Sequence, residues 1–148
     1  MSFVYPNARK LAWGGSIDLV ANTVKVLLFR PASTCAADVS AKFLADFVDL
    51  QETAVTGYSR KTLAGKALND PGTGPVTFTA TDVDFGLLSQ GAGESIGGAL
   101  VFIDNGGAGS DVPLACIDSV AASSISFPYN PNGNQFVLDF VAGVVLQL

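Results

Sequence analysis

Apolar residues recur along this chain in short runs, most of them with a two-residue period. Val76, Phe78 and Ala80 alternate with Thr77, Thr79 and Thr81. That pattern predicts a strand with one buried face. Phe136, Leu138 and Phe140 alternate with Val137 and Asp139. After a turn at Ala142-Gly143, Val144, Leu146 and Leu148 alternate again. Ile96 to Ile103 is a continuous apolar run, as expected of a central strand covered on both faces. Asn105 to Ser110 forms a loop, and Pro113 to Ile117 returns from it. Residues 16–21 alternate loosely, with Ile17 and Leu19 on one side and Asp18 on the other. A turn at Ala21-Asn22-Thr23 then leads into Val24 to Phe29, which predicts a hairpin with a buried second strand. Pro31-Ala32-Ser33-Thr34 ends it, and Tyr58 to Leu63 reads as a further strand.

One segment departs from this period. Val39, Phe43, Phe47 and Leu50 fall at helical spacing, with Leu44 and Val48 beside them. Asp38 is placed to cap the start, and Lys42, Asp46 and Asp49 lie off the apolar stripe. The pattern predicts one short helix here, covering an opening between sheets.

About eight short strands, one helix and turn residues at regular intervals point to a mainly β chain. The expected architecture is an antiparallel β-sandwich or jelly-roll-like fold with one short helix. A closed barrel is the alternative. A parallel α/β fold is disfavoured because crossover helices are missing. No linker divides the chain, so residues 15–148 are expected to form a single domain behind an N-terminal segment, 1–14. That segment carries Phe3, Tyr5 and Trp13 together with Pro6, Arg9 and Lys10. It either folds back on its own domain or inserts into a neighbour. Phe3, Tyr5, Arg9, Lys10 and Trp13 are therefore the candidate assembly contacts.

Composition sharpens the second possibility. Charged residues make up 14% of the chain, against ~25% in a typical globular domain. Surface not dressed by charge is covered by small polar residues or by partners. The net charge is -5, from 8 basic and 13 acidic residues. The nearest cationic clusters, Arg9-Lys10 and Arg60-Lys61, are two residues each, which is no footprint for nucleic acid. The start of the chain lacks the basic and apolar regions of a secretory leader. No run approaches the ~20 apolar residues of a membrane-spanning helix. With no leader, Cys35 and Cys116 are expected to be reduced thiols, although one disulfide between them is possible.

Candidate chemistry is sparse. The chain has no histidine, which removes the commonest general base, the histidine-dependent nucleophile systems and His-built zinc sites. Asp82 and Asp84 share a face if they lie in a strand, and read best as a solvated edge. Gly106-Gly107-Ala108-Gly109-Ser110-Asp111 matches the start of a calcium-binding repeat. It occurs once, with Pro113 at the position that should be apolar, so a hairpin loop is expected instead. Gly91 to Gly97 resembles a phosphate loop, but its glycine spacing is wrong and a strand follows it. No catalytic residue, cofactor or metal is expected.

Several segments together resemble a family of small structural proteins of tailed bacteriophages. They are Ala8-Arg9-Lys10-Leu11, Gly15-Ser16-Ile17-Asp18-Leu19 and Thr23-Val24-Lys25-Val26-Leu27-Leu28. Val55 to Lys61 resembles the family's V-x-G-T-G-Y segment with its leading Gly-Thr shortened. Phe78 to Val83, Ala99 to Asp104, Leu114 to Asp118, Asn132 to Phe136 and Gly143 to Leu148 follow in the family's order. The resemblance implies a non-enzymatic virion protein, foremost a capsid decoration (cement) protein assembled in the host cytoplasm and placed on the capsid exterior. Its implied partners are the major capsid protein and copies of itself, with no direct nucleic acid and no membrane. A tail, neck or head-tail connector component is the second expectation. A carbohydrate-binding module on a phage fibre, with Trp13, Tyr58 and Tyr129 as the candidate platform, is the third.

Overall fold

Two wholly apolar strands sit at the centre of the fold. In a computed structural model, which describes residues 3–33, 35–91, 94–119 and 123–148, they are β7 (Gly98–Ile103) and β8 (Val112–Ile117). Every residue of both is buried. They form an antiparallel hairpin inside a five-stranded sheet of order β1-β8-β7-β2-β3. The other members are β1 (Phe3–Val4), β2 (Val24–Phe29) and β3 (Lys61–Thr62). Pro113 cannot donate to a ladder, and the β7–β8 register shifts next to it, between Val101 and Phe102. Gly98 is required by close approach. A Cβ there would lie 2.4 Å from the Phe29 ring and 2.6 Å from the Ile117 carbonyl oxygen.

The expected strand around Phe78 is β5 (Thr77–Thr79). It is the middle of a three-stranded sheet between β4 (Ala67–Asn69) and β10 (Val144–Gln147). The expected strand around Phe136 is β9 (Asn132–Leu138), paired antiparallel with β6 (Val83–Ser89). Phe78, Phe102, Phe136 and Phe140 are buried, and one core cluster draws on all three sheets. The chain is thus mainly β, with antiparallel sheets and, among the described residues, one short α-helix.

That helix is not where the apolar spacing places it. Residues 39–50 form no α-helix; the structure has 3-10 turns at Cys35–Asp38 and Leu44–Asp46. Backbone groups there find partners other than the i−4 carbonyl. The Asp46 carboxylate accepts the Lys42 and Phe43 N–H groups, and Asp38 accepts that of Val48. Leu44 and Ala45 donate to the Asp111 and Ala108 carbonyls. Short acidic side chains compete with helical bonding in this way. Val48 consequently stands 83% exposed.

The α-helix is instead α1 (Pro6–Trp13), inside the N-terminal segment. Pro6 opens it with a ring already set for a first helical turn. Tyr5 anchors it, donating its N–H to the Leu114 carbonyl. The described part of the segment thus folds back on its own chain: β1 pairs with β8, and Tyr5 and Ala8 belong to the core.

Two further expectations change. Residues 16–21 form a turn rather than a strand, because Asp18 accepts the Val20 and Ala21 N–H groups at 2.9 Å. Strand β2 therefore pairs with β7 and β3. The cysteines are not free thiols. Cys35 and Cys116 are disulfide-bonded, with Cα atoms 6.1 Å apart. The sheet brings β8 beside the 35–38 turn, which the 81-residue separation hides.

Candidate functional site

The polar clusters singled out by sequence are occupied in holding turns and strand ends. Asp82 accepts the Phe140 N–H, and Asp84 accepts the Gly86 N–H and the Gln135 side-chain amide. These bonds hold the Asp84 carboxyl below its usual range, the backbone N–H first and the amide second. In the glycine loop, the buried Asp111 carboxylate accepts N–H groups from Asn105 and Gly107. Its Oδ1 accepts from the loop's own backbone, as expected of a hairpin connection. Part of the Gly91–Gly97 segment, Ala92 and Gly93, lies outside the described residues; Ile96 forms a bridge with Tyr129. Among the described residues there is no group of three or more His, Cys, Asp or Glu side chains placed to hold a metal. No helix among the described residues is long and apolar enough to cross a membrane.

Tyr58, Glu52 and Arg60 form a connected polar group. Tyr58 donates its hydroxyl to Glu52 at 2.5 Å and accepts the Leu28 N–H at 3.1 Å. Arg60 makes a forked pair with the same carboxylate and lies over the Phe102 ring. Burial pushes the Glu52 carboxyl up, but the hydrogen bonds from Arg60 and Tyr58 outweigh it and leave it lowered. Burial, then the bond to Glu52, pushes the Tyr58 hydroxyl far above its usual value. This group ties the 52–60 segment to strand β2. Tyr58 stacks on Phe85, Phe85 touches Phe136, and Phe136 touches Tyr129. The two tyrosines are thus half-buried ends of one aromatic row, and Trp13 has no ring contact with it.

The five candidate contacts divide. Tyr5 is wholly buried, packed between Phe3 and Phe47. Burial, followed by the charges of Asp38 and Asp118, raises its hydroxyl pKa. Its location in the core withdraws it from any surface. Phe3 is half-buried and lines an open groove of about 680 Å3 between β1, β8 and β10, with Arg9 at its rim. Arg9, Lys10 and Trp13 are exposed. With Pro6 they sit at helical spacing, so α1 turns one cationic and aromatic face outward while Ala8 faces the core. Trp13 is 76% exposed and borders a hollow of about 300 Å3 that Ile17, Leu68 and Leu148 help to line.

A second exposed apolar face was missed by the sequence reading. On the β6–β9 ribbon, Asp84 pairs with Val137 and Leu87 with Gln135, all outward. Leu87 is 69% exposed. Strict alternation from Val83 and Phe85 would bury it. A register shift at Gly86, whose φ is +79°, changes the phase so that Leu88 is buried instead. Val137 was the visible signal: an apolar residue out of phase with Phe136 and Leu138.

No family model, curated protein or solved structure matches this chain.

Proposed function

We propose that this chain is a non-enzymatic structural protein of a tailed-bacteriophage particle, foremost a capsid decoration protein that bridges and stabilises major capsid subunits. The observation that carries the reading is the exposed face of α1. A protein with few charges holds Trp13 largely in solvent beside two cations, on a helix fixed to the core by Tyr5 and Ala8. Rigidly presented aromatic residues and arginines are the usual anchors of protein interfaces. Val48, Leu68 and Leu87 are exposed on other elements. Several apolar contact faces suit a subunit that touches more than one neighbour. The antiparallel, sandwich-like sheet arrangement agrees with the resemblance to phage structural proteins, and the acidic balance favours a place away from packaged DNA.

The mechanism is mechanical. Contacts formed only with the assembled shell lower its free energy relative to the disassembled one, and symmetry multiplies them. Incubation of the purified chain with expanded empty shells tests this. Saturable binding and a higher shell-disruption temperature are expected. Shells that neither bind the chain nor gain stability from it overturn the decoration reading. A ring of few copies at one vertex assigns the chain to the connector or tail instead.

A further inference from the structure

Two exposed faces of this molecule have complementary chemistry. The first is the α1 face of Arg9, Lys10 and Trp13. Lys25, Arg30 and Arg60 are paired with Asp104, Glu94 and Glu52. Arg9 and Lys10 make no ion pair among the described residues. The second is the outer face of the β6–β9 ribbon. Here Asp84 is held by Gly86 and Gln135, lies within reach of the Lys61 charge, and shares the ribbon with the exposed Leu87 and Val137. The first face offers two cations beside a flat aromatic ring, the second an anchored carboxylate on a ribbon that also exposes two aliphatic side chains.

We infer that the Arg9–Lys10–Trp13 face of one copy docks on the Asp84–Leu87–Val137 face of a second copy. The occupant is chosen by charge complementarity. A chain of net charge -5 repels a second copy on average, and cations of one copy placed against a carboxylate of the next offset that repulsion locally. Trp13 covers Leu87 and Val137 while Arg9 or Lys10 reaches Asp84. The two faces differ, so the contact is heterologous: each copy has one of each face free for another neighbour. Such contacts close into rings or propagate as filaments. The inference rests on the assembly reading above and names the self-contact within it.

Sedimentation equilibrium of the full chain, as a function of concentration and salt, tests it. Association that weakens with added salt is expected. Arg9→Glu/Lys10→Glu and Asp84→Lys should each weaken it roughly tenfold or more, while a mixture of the two variants restores it, because the intact cationic face of one variant meets the intact Asp84 of the other and the two reversed faces also attract. All of these positions are exposed, and a cooperative thermal melt verifies that each variant is folded. Trp13→Ala, which leaves charge untouched, should weaken association as well. A chain that stays monomeric at all concentrations, association unchanged by both charge reversals, or a mixture that fails to recover overturns the inference. Shell binding that persists in a monomeric chain overturns the self-contact alone. Salt-sensitive, charge-rescued association without shell binding overturns the decoration reading alone.

Discussion

Cys35 and Cys116 are 81 positions apart in sequence and joined by a buried disulfide. The bond fastens the 35–38 turn, and with it the irregular segment up to residue 50, to β8 in the large sheet. That segment makes few regular backbone bonds of its own, so the covalent tie carries part of its order. Cross-linking so long a loop stabilises mainly by restricting the unfolded chain. Reduction, or Cys35→Ala/Cys116→Ala, should cost ~2–5 kcal/mol and lower Tm by on the order of 10 °C. Calorimetry with and without reductant measures this. An unchanged Tm means that the bond adds nothing to the native state.

Tyr58→Phe removes one hydroxyl and leaves two groups short of a partner, the Leu28 N–H and the Glu52 carboxylate. Unsatisfied groups in such a place cost about 1–3 kcal/mol. Urea unfolding should show a lower midpoint with an unchanged slope. A variant as stable as the parent would mean that water replaces the hydroxyl at no cost.

Stability should fall at both ends of the pH scale. The Glu52 carboxyl is lowered from its ordinary 4.5. Its contribution is full above that value and is lost as the pH falls through the lower, folded-state value. Asp84, Asp104 and Asp139 are shifted the same way. Tyr58 and Tyr5 are raised from 10.0, so their contribution is full below pH 10.0 and is lost as the pH rises past it. Tm measured across pH should decline on both sides. Glu52→Gln should flatten the acid limb, and an unaltered limb would remove Glu52 from its causes.

Gly98→Ala places a methyl group against the Phe29 ring and the Ile117 carbonyl, both in the central sheet. Overpacking of this kind costs ~1–3 kcal/mol. Gly107→Ala, in the loop between β7 and β8, meets nothing within 4 Å and has no positive φ. It should change stability by less than about 0.5 kcal/mol. Thermal melts of the two variants should differ accordingly.

The parts of the fold legible in the sequence are those whose burial is set by simple periodicity. The run ending at Ile103 is a central strand because both its faces are covered. Phe78 and Phe136 mark strands with one wet face. The misplaced helix has a local cause: Asp38 and Asp46 capture N–H groups that a helix would have used. At residues 16–21 the Asp18 side chain does the same. Helix α1 is eight residues long, too short for its period to stand out, and it is held by tertiary contacts of Tyr5 and Ala8 that no local pattern reveals. Among the candidate contacts, Arg9, Lys10 and Trp13 are on the surface and Tyr5 is in the core. Aromatic side chains near a terminus serve either end equally well until the pairing of β1 with β8 decides. The alternation does not place Leu87 outward, because a register shift at Gly86 inverts the phase of the next residues of β6.

The central claim is that this chain is an exterior shell protein of a phage particle. A density map of the purified particle made by the genome that encodes it tests that claim most directly. The account predicts density for the chain repeated over the outside of the expanded capsid, bridging neighbouring subunits. Particles that lack the chain, or that hold it inside the shell against the packaged DNA, would contradict it.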